Sequence, residues 1–265
     1  MSFLILIIGF ALLIKGADVF VEGASSIAKK FNVPSMIIGL TIVAMGTSAP
    51  EAAVSVTSSL AGQNDMSVAN VVGSNFFNVL VVLGVSSIIA KLPVQEETIK
   101  KDTPFLILVS ILLLVFGINL KLGRIEGLAL LGLFTYFLVN TIKSAKKATE
   151  DDSLETGETA IAIETQTSSE ISLPKTILVS LVGIAGIVLG GDMVVNSATS
   201  IATSLGMSAN LVGLTIVAVG TSLPEFVTSI VAIKKGETEI AIGNVIGSNL
   251  FNILLVLGLA AVINP

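Results

Sequence analysis

The chain contains an internal duplication whose two copies are separated by a constant 174 residues. The segment Gly-Leu-Thr-Ile-Val-Ala-Met-Gly-Thr-Ser-Ala-Pro-Glu at 39–51 returns as Gly-Leu-Thr-Ile-Val-Ala-Val-Gly-Thr-Ser-Leu-Pro-Glu at 213–225. Residues 70–84 align with 244–258 at the same offset, and both contain Gly-Ser-Asn-x-Phe-Asn. Because each copy places a proline and a carboxylate within an apolar run, the duplication predicts two equivalent broken helices around something polar.

The composition is typical of a protein in a lipid bilayer. Hydrophobic residues make up 53% of the chain and charged residues only 12%, and the mean hydropathy is +0.96, whereas soluble domains carry about 25% charged residues. A membrane-spanning helix takes about 20 apolar residues. We therefore predict an all-α polytopic membrane protein with eight spans, at 3–29, 35–61, 66–90, 103–120, 124–142, 174–203, 209–233 and 239–262.

The position of the duplication among these spans predicts an inverted repeat. Five spans separate a position in the first copy from its equivalent in the second, and because five is odd, the copies enter the membrane from opposite sides. Residues 1–142 then form a first half of five spans, and residues 174–265 form a second half of three. An acidic linker at 143–173 joins them. No basic segment precedes the first span, so we expect no cleaved signal peptide.

Basic residues are distributed unequally between the two sides that this topology defines. One side carries only Lys121 and Arg124. The other side carries eleven lysines, namely Lys29, Lys30, Lys91, Lys100, Lys101, Lys143, Lys146, Lys147, Lys175, Lys234 and Lys235. Because cytoplasmic loops are enriched in lysine and arginine, we expect the N-terminus outside and the linker in the cytoplasm.

The linker is rich in serine, threonine and acidic residues. Its acids are Glu150, Asp151, Asp152, Glu155, Glu158, Glu164 and Glu170. Such a composition predicts a solvated, disordered connector. A cytoplasmic Ca²⁺-sensing segment is the alternative, although the spacing of these acids matches no known Ca²⁺ loop such as the EF-hand.

The two breaks bring together the oxygen atoms that hard cations prefer. Pro50 and Pro224 lack an N–H, which frees carbonyls near residues 46–47 and 220–221. Freed carbonyls, Thr and Ser hydroxyls and a following carboxylate suit Ca²⁺, which takes six to eight oxygen ligands, and also Na⁺. One such break would be explained by a proline kink with a snorkelling glutamate, but two in an inverted pair favour an ion site. The absence of Cys and His excludes thiolate and imidazole ligands.

Glu51 and Glu225 are the first candidates for binding an ion. Pseudo-symmetry predicts that they converge near the middle of the membrane. Two carboxylates about 5 Å apart repel by roughly 3 kcal/mol at an effective dielectric constant of 20, so we expect them to hold protons or cations. One divalent ion or two monovalent ions neutralise the pair, and competition between these loadings would be the basis of exchange.

The Gly-Ser-Asn-x-Phe-Asn motifs offer further neutral oxygens on the next span of each half. Gly73 and Gly247 should permit close approach of helices. In each motif a serine and an asparagine are four residues apart and therefore share a helical face. These pairs are Ser74 with Asn78 and Ser248 with Asn252. Polar contacts between helices are the alternative role for each. The adjacent Asn75 and Asn249 are expected to serve packing.

The first span also carries charged residues, Lys15, Asp18 and Glu22. Their spacings of three and four predict a local ion pair near the membrane interface. A role in the ion entrance is the alternative. Asp192 is the counterpart of Asp18 in the second half, while Glu22 corresponds to Asn196.

The paired Gly-Thr-Ser-x-Pro-Glu and Gly-Ser-Asn-x-Phe-Asn motifs resemble the α-repeats of the cation/Ca²⁺ exchanger superfamily. The chain looks most like its prokaryotic Na⁺/Ca²⁺ exchangers. The resemblance implies that Glu51 and Glu225 bind Ca²⁺ together with Thr47 and Thr221. It places Asn78 and Asn252 near the centre. It also implies flanking Na⁺ sites formed by Ala44, Ser48, Ser74, Ala218, Ser222 and Ser248.

The resemblance further implies how the helices move. In the family, the first and sixth helices slide past the others to expose the site alternately to each side. Here these would be spans 3–29 and 174–203, whose glycines, including Gly183, Gly186, Gly190 and Gly191, suit close sliding contacts.

The chain departs from the family pattern in two ways. Asn78 and Asn252 stand where some relatives carry Asp, which argues weakly against K⁺ cotransport and proton coupling. Family members usually have ten spans, so the last two are missing here although every proposed ligand is present.

The leading expectation is a Na⁺/Ca²⁺ antiporter in a prokaryotic plasma membrane. An H⁺/Ca²⁺ exchanger is the first alternative, although proton-coupled relatives tend to have Gly-Asn-Ala before the carboxylate. A truncated Ca²⁺-binding core without transport is the second. No HExxH pair or nucleophile–base arrangement is present, so we expect no enzyme. The expected partners are the lipid bilayer and the transported Ca²⁺ and Na⁺, with no other cofactor and no nucleic acid. The oligomeric state stays open.

Overall fold

The computed structural model of the protein describes residues 1–155, 173–212, 215–216 and 218–265; for residues 148–155, 209–210 and 218 it describes only the backbone. Within these ranges the regular structure is helical. The longer helices are α1 (Ser2–Phe31), α2 (Ser35–Thr47), α3 (Ala49–Leu60), α4 (Asn64–Ile89), α5 (Thr98–Asn119), α6 (Arg124–Glu155), α7 (Leu173–Ser204), α8 (Leu223–Lys234) and α9 (Thr238–Ile263).

The helices agree with seven of the eight predicted spans. Among the described residues, six helices are long and apolar enough to cross a membrane, and α2 with α3 forms a seventh span that is bent by 49°. The eighth prediction, 209–233, includes the short helices Ala209–Val212 and Ala218–Gly220 and most of α8, but residues 213, 214 and 217 lie outside the described residues.

The boundary between the first half and the linker differs from the expectation. Helix α6 does not end at residue 142 but continues to Glu155, because the intervening residues include the helix formers Ala, Lys and Glu. The rest of the linker, residues 156–172, lies outside the described residues.

Each predicted break is present as a change of backbone direction at a serine. Ser48 has φ −83° and ψ 9°, and Ser222 has φ −91° and ψ 3°, so neither continues the helix before it. Pro50 and Pro224 occupy the first turn of the helices that follow, α3 and α8. Proline is tolerated there because the first N–H groups of a helix have no intrahelical partner.

Helices α1 and α7 pack backbone to backbone through glycines. A Cβ atom on Gly16 would lie 2.8 Å from the carbonyl oxygen of Gly183, and one on Gly190 would lie 2.5 Å from the backbone nitrogen of Leu13. The resemblance predicted that α1 and α7 slide past the other helices. These glycine contacts instead lie between α1 and α7 themselves. Gly191 is different, since its nearest neighbour is Pro224 Cγ at 3.6 Å.

Helix α9 lies at the centre of the packing, whereas its counterpart α4 does not. Of the most apolar 18 consecutive residues in each helix, 78% are buried in α9 and 22% are buried in α4. Helix α6 covers α9 through the edge-to-face pair Phe134–Phe251, whose ring centroids are 5.8 Å apart. The predicted close approach is therefore confirmed for Gly247, where a Cβ would lie 2.4 Å from the Leu40 carbonyl oxygen. For Gly73 nothing lies within 4 Å among the described residues, but residue 214, the counterpart of Leu40 in the repeat, lies outside them, so the close approach at Gly73 stays a prediction.

Candidate ion-binding site

Glu51 and Glu225 are completely buried, each in the first turn of the helix that follows a break. The start of a helix carries a partial positive charge and unpaired N–H groups, which favour a carboxylate at that position. A buried carboxylate still has a large desolvation cost unless it is paired with a positive charge or well hydrogen-bonded. The contacts of these two side chains therefore define what the site can hold.

The two breaks cross over, so that each serine contacts the glutamate of the other half. Ser48 Oγ donates to Glu225 Oε1 at 2.7 Å, and Ser222 Oγ donates to Glu51 Oε1 at 3.2 Å. All four side chains are buried. The expected convergence of the two carboxylates is therefore present in the structure.

The serines of the Gly-Ser-Asn motifs approach the glutamate of their own half. Ser74 Oγ donates to Glu51 Oε1 at 3.2 Å, and Ser248 Oγ donates to Glu225 Oε1 at 3.4 Å. Ser74 Oγ also lies 3.0 Å from Ser222 Oγ. One oxygen of each carboxylate, Oε1, is therefore surrounded by hydroxyl groups from both halves.

Four other buried side-chain oxygens of the candidate residues have no hydrogen-bond partner among the described residues. They form two symmetric pairs: Glu51 Oε2 with Glu225 Oε2, and Asn78 Oδ1 with Asn252 Oδ1. Buried polar atoms are almost always hydrogen-bonded. All four atoms are acceptors, so the partner that they lack is a hydrogen-bond donor or a cation.

The site contains two acids and no more among the described residues. No group of three or more Asp, Glu, His or Cys side chains that could hold a metal ion occurs in the part of the chain that the structure describes. The other side chains that contact the two glutamates in the described residues supply neutral hydroxyl oxygens. Carboxylates together with neutral oxygens are what Ca²⁺ accepts in proteins.

The threonines of the breaks contact two asparagines that sequence reasoning missed. Thr47 Oγ1 donates to Asn244 Oδ1 at 3.0 Å, and Thr221 Oγ1 lies 3.4 Å from Asn70 Oδ1. Asn70 and Asn244 align at the 174-residue offset and stand four residues before Ser74 and Ser248. That repetition on one helical face was the available signal.

The alanines in the predicted site differ in how far the structure describes them. Ala44 is buried, and its carbonyl oxygen accepts from the Ser48 amide at 3.0 Å and lies 3.3 Å from Thr47 Oγ1, whose shorter contact is to Asn244 Oδ1 at 3.0 Å. Ala218 begins the short helix Ala218–Gly220, and its side chain lies outside the described residues.

Asn75 and Asn249 do more than pack, so that expectation was wrong. Asn252 Nδ2 donates to Asn75 Oδ1 at 3.1 Å, and Asn78 Nδ2 donates to Asn249 Oδ1 at 3.1 Å. Both contacts join α4 of one half to α9 of the other. Because sequence spacing reports only on neighbours along one helix, a contact between the two halves could not be read from it.

The predicted local ion pair in α1 is present, but it has a second partner from the other half. Lys15 Nζ lies 3.8 Å from Asp18 Oδ2. Lys235, directly after α8, lies closer, with its Nζ 2.9 Å from Asp18 Oδ1 and 3.4 Å from Glu22 Oε2. These acids therefore join α1 to the end of α8.

Two inverted halves, each with a broken helix that brings a buried glutamate to a common centre, define a membrane transporter with an inverted repeat. Residues 1–143 and 175–265 match the family model described as sodium/calcium exchanger protein. The chain belongs to this family, whose members carry ions as substrates.

Comparison with individual proteins agrees with this assignment. The chain is 38% identical to the inner membrane protein YrbG of Escherichia coli in an alignment that covers 98% of this chain and 79% of the relative. It is 33% identical to the sodium/calcium exchanger MaX1 of Methanosarcina acetivorans in an alignment that covers 100% of this chain and 83% of the relative. The structure of the sodium-calcium exchanger NCX_Mj superimposes with a TM-score of 0.85 at 32% identity, covering 99% of this chain and 82% of that one. The predicted family and the all-helical membrane fold are therefore confirmed.

Proposed function

We propose that the protein is an antiporter that moves Ca²⁺ across a prokaryotic plasma membrane in exchange for Na⁺. The observation that carries this proposal is a set of four buried acceptor oxygens, two from each half, that have no hydrogen-bond partner in the part of the chain that the structure describes. Glu51, Glu225, Thr47 and Thr221 would bind Ca²⁺. The further proposed ligands, for Na⁺ and at the centre, are Ala44, Ser48, Ser74, Asn78, Ala218, Ser222, Ser248 and Asn252.

The charge of the site accounts for exchange. Glu51 and Glu225 contribute two negative charges, and the other proposed ligands are neutral. In a low-dielectric interior, two buried carboxylates strongly disfavour the empty state. One Ca²⁺ or at least two Na⁺ ions neutralise them, but both loadings use the same carboxylates. Binding of one ion therefore displaces the other, which couples the two fluxes.

The packing supports alternating access by movement of α1 and α7 together. The hydrogen bonds around the two glutamates connect residues of α2, α3, α4, α8 and α9 and the two break serines. Helices α1 and α7 instead pack tightly on each other through glycines. The pair can shift against the site-bearing helices without breaking those hydrogen bonds.

The distribution of lysines supports the orientation. The excess of lysines on the side of Lys29, Lys30, Lys234 and Lys235 assigns that side to the cytoplasm. The N-terminus would then lie outside. A relative named an inner membrane protein agrees with placement in the plasma membrane.

The test is Ca²⁺ uptake into proteoliposomes loaded with Na⁺, compared with vesicles that lack Na⁺ and with vesicles under a pH gradient. The proposal expects uptake that requires internal Na⁺. Uptake driven only by the pH gradient would mean that H⁺, and not Na⁺, is the ion exchanged for Ca²⁺. Ca²⁺ binding without uptake under any gradient would favour a Ca²⁺-binding core that does not transport.

A further inference from the structure

Four asparagines outside the proposed ligand set each contact one proposed ligand of the other half. Asn70 and Asn244 contact threonines, Thr221 at 3.4 Å and Thr47 at 3.0 Å. Asn75 and Asn249 contact the central asparagines, Asn252 and Asn78, both at 3.1 Å. Since the four are two pairs related by the 174-residue repeat, the contacts are a property of both halves.

The orientation of the Asn70 and Asn244 amides is fixed by backbone carbonyls. Asn70 Nδ2 lies 3.4 Å from the carbonyl oxygen of Glu51 and 3.0 Å from Ser55 Oγ. Asn244 Nδ2 lies 3.4 Å from the carbonyl oxygen of Glu225 and has an equivalent serine contact at 3.1 Å. A carbonyl can only accept, so the NH₂ group of each amide must face it. The amide oxygen must then face the threonine of the other half.

This orientation determines what each threonine presents to the centre. A hydroxyl group has one proton and two lone pairs. If Thr47 gives its proton to Asn244 Oδ1, and Thr221 gives its proton to Asn70 Oδ1, only lone pairs remain on the two hydroxyl oxygens. A hydroxyl whose proton is held in this way can accept a cation, and it cannot donate the same proton to a carboxylate.

The two central asparagines also donate to an asparagine of the other half. The Nδ2 atom of Asn78 is occupied by Asn249 Oδ1, and that of Asn252 by Asn75 Oδ1. Asn75 is itself held, because its Nδ2 donates to the carbonyl oxygen of Asn249 at 3.1 Å. The opposite ends of both central amides, their Oδ1 atoms, are the buried oxygens without partners.

We propose that Asn70, Asn75, Asn244 and Asn249 are positioning residues that turn an oxygen of each contacted ligand toward the transported ion. They bind no ion themselves. By accepting the proton of each threonine and one proton of each central amide, they leave four oxygens free to accept, which lowers the free energy of a bound cation: Thr47 Oγ1, Thr221 Oγ1, Asn78 Oδ1 and Asn252 Oδ1. This inference rests on the proposed function of the same site.

Asn249 offers the cleanest test, because its side chain contacts Asn78 and it is nearly fully buried. Asn249→Leu removes the acceptor while keeping the volume, so Asn78 can turn its NH₂ group inward. We expect Ca²⁺ affinity, measured by calorimetry on the full chain in nanodiscs, to fall about tenfold, the equivalent of one hydrogen bond. Asn249→Asp keeps the acceptor and should bind Ca²⁺ no more weakly than the wild type.

A double-mutant cycle separates positioning from a merely structural role. Asn78→Leu alone should weaken Ca²⁺ binding, and adding Asn249→Leu to it should cause no further loss. Ser59→Ala is the control, since it deletes a buried 2.7 Å hydrogen bond to the Ala260 carbonyl oxygen. It should lower the melting temperature without changing Ca²⁺ affinity.

The inference is overturned if Asn249→Leu leaves affinity unchanged, or weakens it equally in the Asn78→Leu background. If Asn249→Leu does not fold, the same cycle is run on Asn75 and Asn252, since Asn75 is only partly buried. Failure of the proposed function would be seen in the wild type itself. In that case the wild type would bind no Ca²⁺, or would bind Ca²⁺ that Na⁺ does not displace.

Discussion

Ser48 Oγ donates a 2.7 Å hydrogen bond to Oε1 of Glu225, a residue of the other half of the chain. The reciprocal bond, from Ser222 Oγ to Glu51 Oε1, is longer at 3.2 Å. Each carboxylate is thus held by the helix break of the opposite half. The centre exists only when both halves are assembled, and the two halves do not hold their carboxylates equally.

Replacing either glutamate should abolish Ca²⁺ transport while leaving the protein folded. Glu51→Gln and Glu225→Gln preserve volume but remove one of two negative charges. We expect Na⁺-driven Ca²⁺ uptake to fall by more than about 100-fold, since even changes outside the first ligand shell of metal sites cost 10- to 100-fold. Full uptake by either variant would contradict the site.

The same variants should change thermal stability in a characteristic way. Two buried carboxylates repel each other without an ion, so neutralising one should raise the melting temperature of the ion-free protein. Ca²⁺ should raise the melting temperature of the wild type, because a ligand that binds only the folded state stabilises it. That rise should disappear in Glu51→Gln and Glu225→Gln. A variant that melts lower and still responds to Ca²⁺ would contradict this account.

The unequal serine contacts predict unequal effects of serine replacement. Ser48→Ala leaves Glu225 Oε1 with the 3.4 Å contact from Ser248, whereas Ser222→Ala leaves Glu51 Oε1 with Ser74 at 3.2 Å. Because hydrogen bonds to charged groups contribute about 1.5–3 kcal/mol, we expect Ser48→Ala to weaken Ca²⁺ binding at least about tenfold, and more than Ser222→Ala. Calorimetry measures the Ca²⁺ affinity of both variants.

A serine away from the site provides the control for this comparison. Ser87 is exposed, and its hydroxyl donates to the Gly84 carbonyl oxygen at 2.7 Å, one turn earlier on the same helix. Ser87→Ala should leave Ca²⁺ affinity unchanged. A larger loss for Ser222→Ala than for Ser48→Ala would show that the shorter bond is not the stronger one.

The broken helices could be predicted from the sequence, because a proline and a carboxylate that recur together in two apolar runs point to a polar site inside the membrane. The pairing of Glu51 with Glu225 could also be predicted, since an inverted repeat maps equivalent residues onto a common centre. The repeat could not predict that the two halves are packed differently. Helices α4 and α9 carry the same motif, but 78% of the most apolar 18 residues of α9 are buried, against 22% of those of α4.

The contacts between halves were the other part that sequence could not provide. Asn70 is 151 residues from Thr221, and Lys235 is more than 200 residues from Asp18. Helical spacing predicts pairs three or four residues apart, so it found Lys15 with Asp18 but not the closer Lys235. An amide on an apolar helix is ambiguous in sequence, and only its partner distinguishes a positioning role from packing.

The glycine contact between α1 and α7 should be intolerant of a single methyl group. A Cβ on Gly16 would lie 2.7 Å from the backbone nitrogen of Ile187 and 2.8 Å from the Gly183 carbonyl oxygen. Backbone atoms cannot turn aside, so the helices must separate. We expect Gly16→Ala to destabilise the protein by about 1–3 kcal/mol, observed as a lower melting temperature.

Gly132 is the matched control for this substitution. It lies within α6, and a Cβ added to it would have nothing within 4 Å, so Gly132→Ala should be neutral or stabilise by about 0.5–1 kcal/mol. If Gly16→Ala melts like Gly132→Ala, helices α1 and α7 are not in close backbone contact at Gly16.

The ion pairs of Lys235 predict a kinetic effect without an effect on binding. Lys235 joins the end of α8 to Asp18 and Glu22 of α1, across the interface that moves in the proposed transport cycle. Such partly exposed pairs contribute up to about 1 kcal/mol, so Lys235→Met should shift the balance between conformations by up to about fivefold. We expect the maximal rate of Ca²⁺ uptake to change within that range, while the Ca²⁺ affinity of the buried site remains that of the wild type.

Lys100→Met separates this effect from simple loss of charge, because Lys100 pairs with Glu96 at 2.5 Å only four residues away along the chain. That pair does not cross the moving interface, so uptake by Lys100→Met should match the wild type. Raising the ionic strength with an impermeant salt screens the Lys235 pairs. It should therefore bring the wild-type rate toward that of Lys235→Met and leave the variant almost unchanged. Equal rates for all three proteins at every ionic strength would mean that these ion pairs persist through the cycle, and that α1 does not move relative to the end of α8.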